Sequence, residues 1–375
     1  MRRRGGIALL GITASACDSS TTIAPPVALT AVGRAYAAAD TLFRQDRRWL
    51  GGDAALTIPL SSGRTLWLFG DSFVSAGEPP VRSTARLPRN TIAVQTGNDP
   101  VTATMAFAWN QTNASSPTAF FPGVGTNWYW PGHGLRLTEG PLVVFLTSVR
   151  STPGIGLGFV VSGYALAVID NPDAEPGAWH VRMVDGPSLP FDAIPATAVV
   201  RDGDQVVALA VPTQGTKRGL LVRYSAGALA SGNLSAAQWW TGPTTGWQPT
   251  TAVGTSGPTA VMDDAGAECS IHWDAQRHVF VHVASYGFGA TTIGLRTAPA
   301  ITGPWTAPMT VYRPPESDAA QPFVYAAKAH PTLTGPGGDL LVTHVANSFT
   351  FADLLSVSGQ RTLYWPRMTA VHFSR

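Results

Sequence analysis

Beyond residue 48 the apolar and polar positions fall into a unit that recurs with variation. Each copy has a strand, a turn containing Gly or Asp, a second apolar strand and a third strand. A Trp-bearing outer segment usually follows. The first strand pair reads "DAALTIPL" then "RTLWLFGD", the second "GHGLRL" then "GPLVVFLTSV" and the third "TAVVRDGDQVVALAV". The fourth is "ECSIHWDAQRHVFVHVASYG" and the fifth "AHPTLTGPGGDLLVTHVANS". The pairs begin near residues 53, 133, 197, 268 and 329, a period of roughly 60 to 80 residues. Small sheets that recur radially define a β-propeller, whereas a sandwich would not need the same hairpin and Trp segment five times. The pattern therefore predicts an all-β fold, a five-bladed β-propeller with a central funnel, over residues 41–375. The stretch 34–48 reads equally as a helix or as an outer strand that closes the ring.

Composition adds three constraints. Gly (39), Pro (30) and Trp (12) suit short strands joined by turns and argue against a helical bundle. The formal charge of +2, without a basic stripe, argues against a nucleic-acid partner. The first 17 residues, "MRRRGGIALLGITASAC", have a basic start, a short apolar run and small residues before a cysteine, as a secretory signal does. "ASAC" further resembles a bacterial lipobox, in which Cys17 becomes the lipidated first residue. Residues 18–40 then form a tether, the membrane is reached only through the lipid, and the protein is extracellular or held at the cell envelope. The remaining cysteine, Cys269, lies among apolar or small neighbours and reads as buried and inert.

Charge then becomes informative because it is scarce: 13% of residues are charged and lysine occurs only at 217 and 328. Asp53 and Asp71 lie just outside the ends of an otherwise apolar hairpin. A three-residue loop centred on Ser62 and ending in Gly63 makes them cross-strand partners, with Cβ atoms about 4.5–5.5 Å apart. Two carboxylates so close do not both ionise cheaply, which sets up a base or nucleophile beside a tuning neighbour. In a propeller the innermost strands line the funnel. Asp53, His133, Thr197, Glu268 and the pair Lys328/His330 are therefore expected around one rim, with Glu268 as proton donor. Trp128, Tyr129 and Trp130, beside "PGHG", form a candidate sugar-stacking platform. No Cys/His cluster has metal-ligand spacing, so no cofactor is expected, although the channel leaves room for a structural cation.

The residues Gly63–Phe73, "NWYWPGHG" (127–134), "TGPWTAPMTVYRPPE" (302–316), "YAAKAHPTL" (325–333), "LLVTHVANSF" (340–349) and "YWPRMTAV" (364–371) together resemble a secreted bacterial five-bladed propeller family long labelled a domain of unknown function. That family includes endo-D-arabinofuranosidases that cut the arabinan of mycobacterial-type cell walls. The resemblance spans about residues 48–375 and implies a glycoside hydrolase acting on a furanose-rich polysaccharide. On this chain its acidic positions fall on Asp53 and Asp71, with Glu268 a further match. Asn90, Trp130, His133, Lys328, His330 and Asn347 are the expected sugar contacts. His133 stands where the family pattern has an acid, as in "WPGDG", which implies an altered specificity or activity. A non-catalytic carbohydrate-binding propeller is the competing expectation.

Overall fold

A computed structural model of the chain describes residues 29–113, 116–138, 140–154, 158–287, 291–319 and 322–374. Among these, five antiparallel sheets of four or five strands carry nearly all regular structure, with two short two-stranded ribbons beside them. The first sheet holds Leu56–Pro59, Arg64–Phe69, Thr91–Thr96 and Thr104–Ala108. The second holds Asn127–Arg136, Leu142–Ser151, Phe159–Ile169 and Val181–Asp185. Ile194–Asp202, Gln205–Val211, Leu220–Ser225, Gln238–Trp240 and Trp247–Pro249 make the third. The fourth consists of Cys269–Asp274, Val279–Tyr286, Thr292–Ala298 and Met309–Tyr312. The fifth joins Pro322–Ala329, Leu340–Ser348 and Pro366–Ser374 to the N-terminal strand Thr30–Ala35.

Packing between sheets explains why the strands read as continuous apolar runs rather than alternating ones. In Leu142–Ser151, Leu142, Val144 and Leu146 pack toward the first sheet, while Val143 and Phe145 pack toward the third. Both faces are covered, so neither can be polar. The third sheet repeats the arrangement: Val206, Ala208 and Ala210 face the second sheet, and Val207, Leu209 and Val211 face the fourth. Further cores join the fourth sheet to the fifth and the fifth back to the first. The fold is all-β and propeller-like.

Three expectations need correction. The stretch 18–40 is not all tether, because Thr30–Ala35 pairs in register from Thr30↔Ser374 to Ala35↔Thr369, and Ala37–Arg44 is a 3-10 helix with Leu42 and Phe43 buried. Hydrogen bonding to the last strand, which the local sequence does not announce, incorporates it. Residue 133 does not open the second innermost strand, which begins six residues earlier at Asn127. Residue 329 does not open the fifth, which ends there, so His330 follows the strand instead of preceding it. The leader at 1–17, including Cys17, lies outside the described residues. Cys269 is fully buried, and that burial pushes its thiol well above the usual range.

Candidate functional site

The hairpin register follows the sequence. Leu56 pairs with Leu68 and Gly52 with Ser72, which is the alignment that sets 53 against 71. Between those pairs the ladder breaks. Ala54 and Ala55 adopt left-handed φ angles of 65° and 55°, and the Asp53 carbonyl accepts from Ala55 N (2.9 Å) and Gly70 N (3.2 Å). The break turns the backbone beside Asp53 without changing the register on either side. The two aspartates consequently keep different company.

Asp53 turns toward the fifth sheet, where its Oδ2 accepts from the Tyr325 hydroxyl at 2.7 Å and the Tyr364 hydroxyl at 3.1 Å. Asn347 Nδ2 donates to the Tyr325 oxygen at 3.3 Å. The carboxyl is only partly exposed. Burial above all, then the charges of Glu268 and Asp71, push its pKa up to about 7, against the two tyrosine hydrogen bonds. Asp71 turns toward the second sheet: its Oδ1 accepts from Trp130 Nε1 and its Oδ2 from Arg89 Nη1, both at 2.8 Å. Burial raises its pKa despite both partners. The Arg89 guanidinium also lies 4.5 Å over the Trp128 ring, so Trp128, Arg89, Asp71 and Trp130 form one wall. The expected cause of the Asp53 shift thus ranks third: desolvation leads, and the cross-strand acid contributes least of the three raising effects.

Glu268, just ahead of Cys269–Asp274, places its Oε2 2.6 Å from Lys328 Nζ. The pair is asymmetric, with the lysine side chain 2% exposed and the glutamate 35%. Lys328 Nζ also donates to the Ala326 carbonyl at 3.2 Å. Ala326 (φ 62°) and Tyr364 (φ 61°) are left-handed like Ala54 and Ala55, so four of the six non-glycine residues with positive φ among the described residues follow Asp53 in the chain or lie at its phenol partners. Backbone held in sparsely populated regions costs about 1–3 kcal/mol per residue, and such positions cluster where side-chain placement matters more than stability.

Three expected sugar contacts are placed elsewhere. His133 Nδ1 accepts from Val199 N at 2.9 Å and its Nε2 lies 3.1 Å from the Thr57 carbonyl, tying the first, second and third sheets together. His330 is fully buried, with Nδ1 2.8 Å from Thr57 Oγ1 and Nε2 2.7 Å from Thr343 Oγ1. Burial lowers the pKa of His133 to about 4 and of His330 to about 3, so both are neutral groups that bond one sheet to another. Asn90, also fully buried, donates to the Phe121 and Tyr129 carbonyls at 3.0 and 2.9 Å. Thr197 is buried. Trp130, Lys328 and Asn347 remain at the acids, as hydrogen-bond partners of Asp71, Glu268 and Tyr325.

Tyr325, Tyr364 and Arg89 join the acids without any signal in the sequence that singles them out. Tyr325 and Tyr364 sit inside the quoted motifs "YAAKAHPTL" and "YWPRMTAV", and a phenol there looks the same as a core aromatic. Arg89 lies outside every quoted motif, two residues before Thr91–Thr96. Among the described residues no three His, Cys, Asp or Glu side chains converge as metal ligands would.

Comparison with known proteins adds a family and a fold. The family described as "Domain of unknown function (DUF5005)" matches residues 37–372. No curated protein sequence matches the chain. A provisionally named hydrolase from Bacteroides ovatus ATCC 8483 superposes with a TM-score of 0.69 at 16% identity, over 91% of this chain and 90% of its own. A protein of unknown function from Dyadobacter fermentans DSM 18053 superposes with a TM-score of 0.51 at 10% identity, over 91% and 99%. A xylan β-1,4-xylosidase from Bacillus halodurans C-125 gives 0.47 at 11%, over 88% of this chain and 54% of its own. At these identities the first two likenesses are likenesses of fold.

Proposed function

The chain belongs to the DUF5005 family, and from that premise we propose that it hydrolyses glycosidic bonds in a furanose-rich polysaccharide such as the D-arabinan of bacterial cell walls. In this reading the five sheets are the blades of a propeller, and the acids stand at the mouth of its funnel. The observation that carries the proposal is Asp53, a carboxyl brought to a pKa of about 7 within the electrostatic reach of Glu268 and Asp71. A proton carrier works best when its pKa lies near the working pH. The roles read from sequence are therefore exchanged: Asp53 gives its proton to the leaving glycosidic oxygen, and Glu268 is the carboxylate that faces the anomeric carbon as base or nucleophile. Water supplies the hydroxyl of the new reducing end. Its other proton goes to Asp53 where Glu268 is the nucleophile, or to Glu268 and then by exchange with solvent back to Asp53 where Glu268 is the base. Asp71, braced by Arg89 and Trp130, tunes Asp53 and orients sugar against the indoles. The furanose preference rests on the motif resemblance, and the N-terminal pattern supports export with lipidation at Cys17.

The Asp71–Arg89 ion pair favours a second reading, a non-catalytic carbohydrate-binding propeller, because a charge-neutralised acid recognises hydroxyls without doing chemistry. Incubation with arabinogalactan while following reducing ends separates the two. Release that disappears in Asp53→Asn and in Glu268→Gln supports hydrolysis. Binding with no release in the parent protein sinks it.

A further inference from the structure

A cleft of about 540 Å³ opens at the other end of the third and fourth sheets from Glu268. Trp240, Trp247, Trp273 and Phe280 line it, with Arg201 and Asp202 at its lip. Glu268 precedes the strand Cys269–Asp274 and Trp273 is its next-to-last residue, so the two lie roughly 16 Å apart along the strand direction at ~3.3 Å per residue. Arg201 and Asp202 likewise close the innermost strand Ile194–Asp202 at its far end.

Strand pairing builds the walls. Trp240 pairs with Trp247 across two short strands, their rings 5.5 Å apart and tilted by 61°. Trp273 pairs with Phe280, rings 5.0 Å apart at 63°. The Arg223 guanidinium lies 4.8 Å over the Trp247 ring and holds it from behind. Trp273 remains 42% exposed, a large apolar face given to solvent.

The indole nitrogens indicate the occupant. Trp49, Trp67 and Trp239 each donate to a side-chain oxygen of the chain. Among the described residues no protein acceptor meets the indole N–H groups of Trp240, Trp247 and Trp273, and the exposed Asp202 carboxylate lies within electrostatic reach of Arg223. An apolar protein surface would cover these donors and leave them unsatisfied, at about 1–3 kcal/mol each. A sugar chain stacks its C–H faces on the rings and offers hydroxyls to the N–H groups, Arg201 and Asp202 at once. We propose that the Trp240–Trp247–Trp273 cleft is a second carbohydrate-binding site, which holds a polysaccharide strand on the face away from Glu268.

This site does not depend on the hydrolytic reading, and the test keeps them apart. Affinity electrophoresis of the full chain carrying Asp53→Asn runs through gels containing soluble arabinogalactan, arabinan or xylan. The expected result is retardation in at least one gel, weakened about five- to tenfold by a further Trp273→Ala and less by Trp273→Phe, which keeps a ring to stack on. Trp273→Ala in the otherwise native chain leaves reducing-end release from a short oligosaccharide unchanged. Retardation in no gel, or retardation equal in parent and Trp273→Ala, overturns the proposal. Loss of retardation with Trp273→Ala upholds it even where the native chain releases no reducing ends.

Discussion

The Tyr325 hydroxyl donates to Asp53 Oδ2 at 2.7 Å although the two residues are 272 positions apart. The bond spans the seam between the last sheet and the first, so the chemistry of Asp53 depends on how that seam closes. Both tyrosine bonds act against the upward push of burial. Removing a hydroxyl should raise the Asp53 pKa further. Tyr325→Phe and Tyr364→Phe are each expected to move the alkaline limb of the reducing-end rate profile upward by about half to one pH unit, with slower turnover. An unmoved limb would show that Asp53 is not the titrating acid.

Gly70 tests the position of that carboxyl more directly. A Cβ built at residue 70 would stand 2.3 Å from Asp53 Oδ1, so Gly70→Ala must displace the carboxylate from its phenols. Activity is expected to fall by about tenfold or more, the usual cost of misplacing a catalytic group by an ångström. Thermal unfolding should change little, since what moves is one side-chain terminus. Activity close to that of the parent would refute the role given to Asp53.

The Glu268–Lys328 pair yields an asymmetry that unfolding experiments read. Glu268→Gln strands an ammonium that is almost fully buried, and a loss of about 3 kcal/mol is expected. Lys328→Met leaves a glutamate that water can reach, and should cost about 1–2 kcal/mol. The double variant should recover most of the first loss. Urea midpoints at pH 7 decide the order.

Stability should also fall on acidification, for a reason that can be signed. His133, His272 and His282 have pKa values lowered to about 4 by burial, and His330 and His344 to about 3. Each contributes stability above its unfolded value near 6.5 that is lost as pH falls toward the folded one. Asp40, Asp53 and Asp71 are raised and work in the opposite direction, stabilising at low pH and losing that contribution as pH rises. The rings outnumber the acids, so unfolding takes up protons between pH 6 and 4 and stability falls as pH drops through that window. Urea unfolding at half-unit steps measures that slope, and a flat profile would contradict the burial of these rings.

The strand pattern and hairpin register were legible because they depend on local signals, apolar runs and a three-residue turn ending in Gly63. The site was legible only in part. Asp53 and Asp71 stood out as acids beside apolar strands, but their separation into two polar clusters depends on left-handed Ala54 and Ala55, where no glycine marks the break. His133 and His330 looked like rim residues because a polar side chain near an innermost strand gives no sign of what it will bond. Six residues of error in one strand start and a reversed position on another moved both histidines off the strand starts. Tyr325 and Tyr364 could not be told from core aromatics, since only tertiary placement reveals where their hydroxyls point.

The strand Thr30–Ala35 pairs with the final residues of the chain, and this has a consequence for synthesis. Among the described strands, the earliest to be translated finds its partner last. Closing so long a loop is entropically costly, and no reward comes until Pro366–Ser374 has emerged. A chain cut short between Ser348 and Pro366 leaves the Leu340–Ser348 edge bare and the strand Thr30–Ala35 unattached. Emergence of Pro366–Ser374 is thus a condition of closure, and products terminated before it should remain open to proteases while those that include it do not.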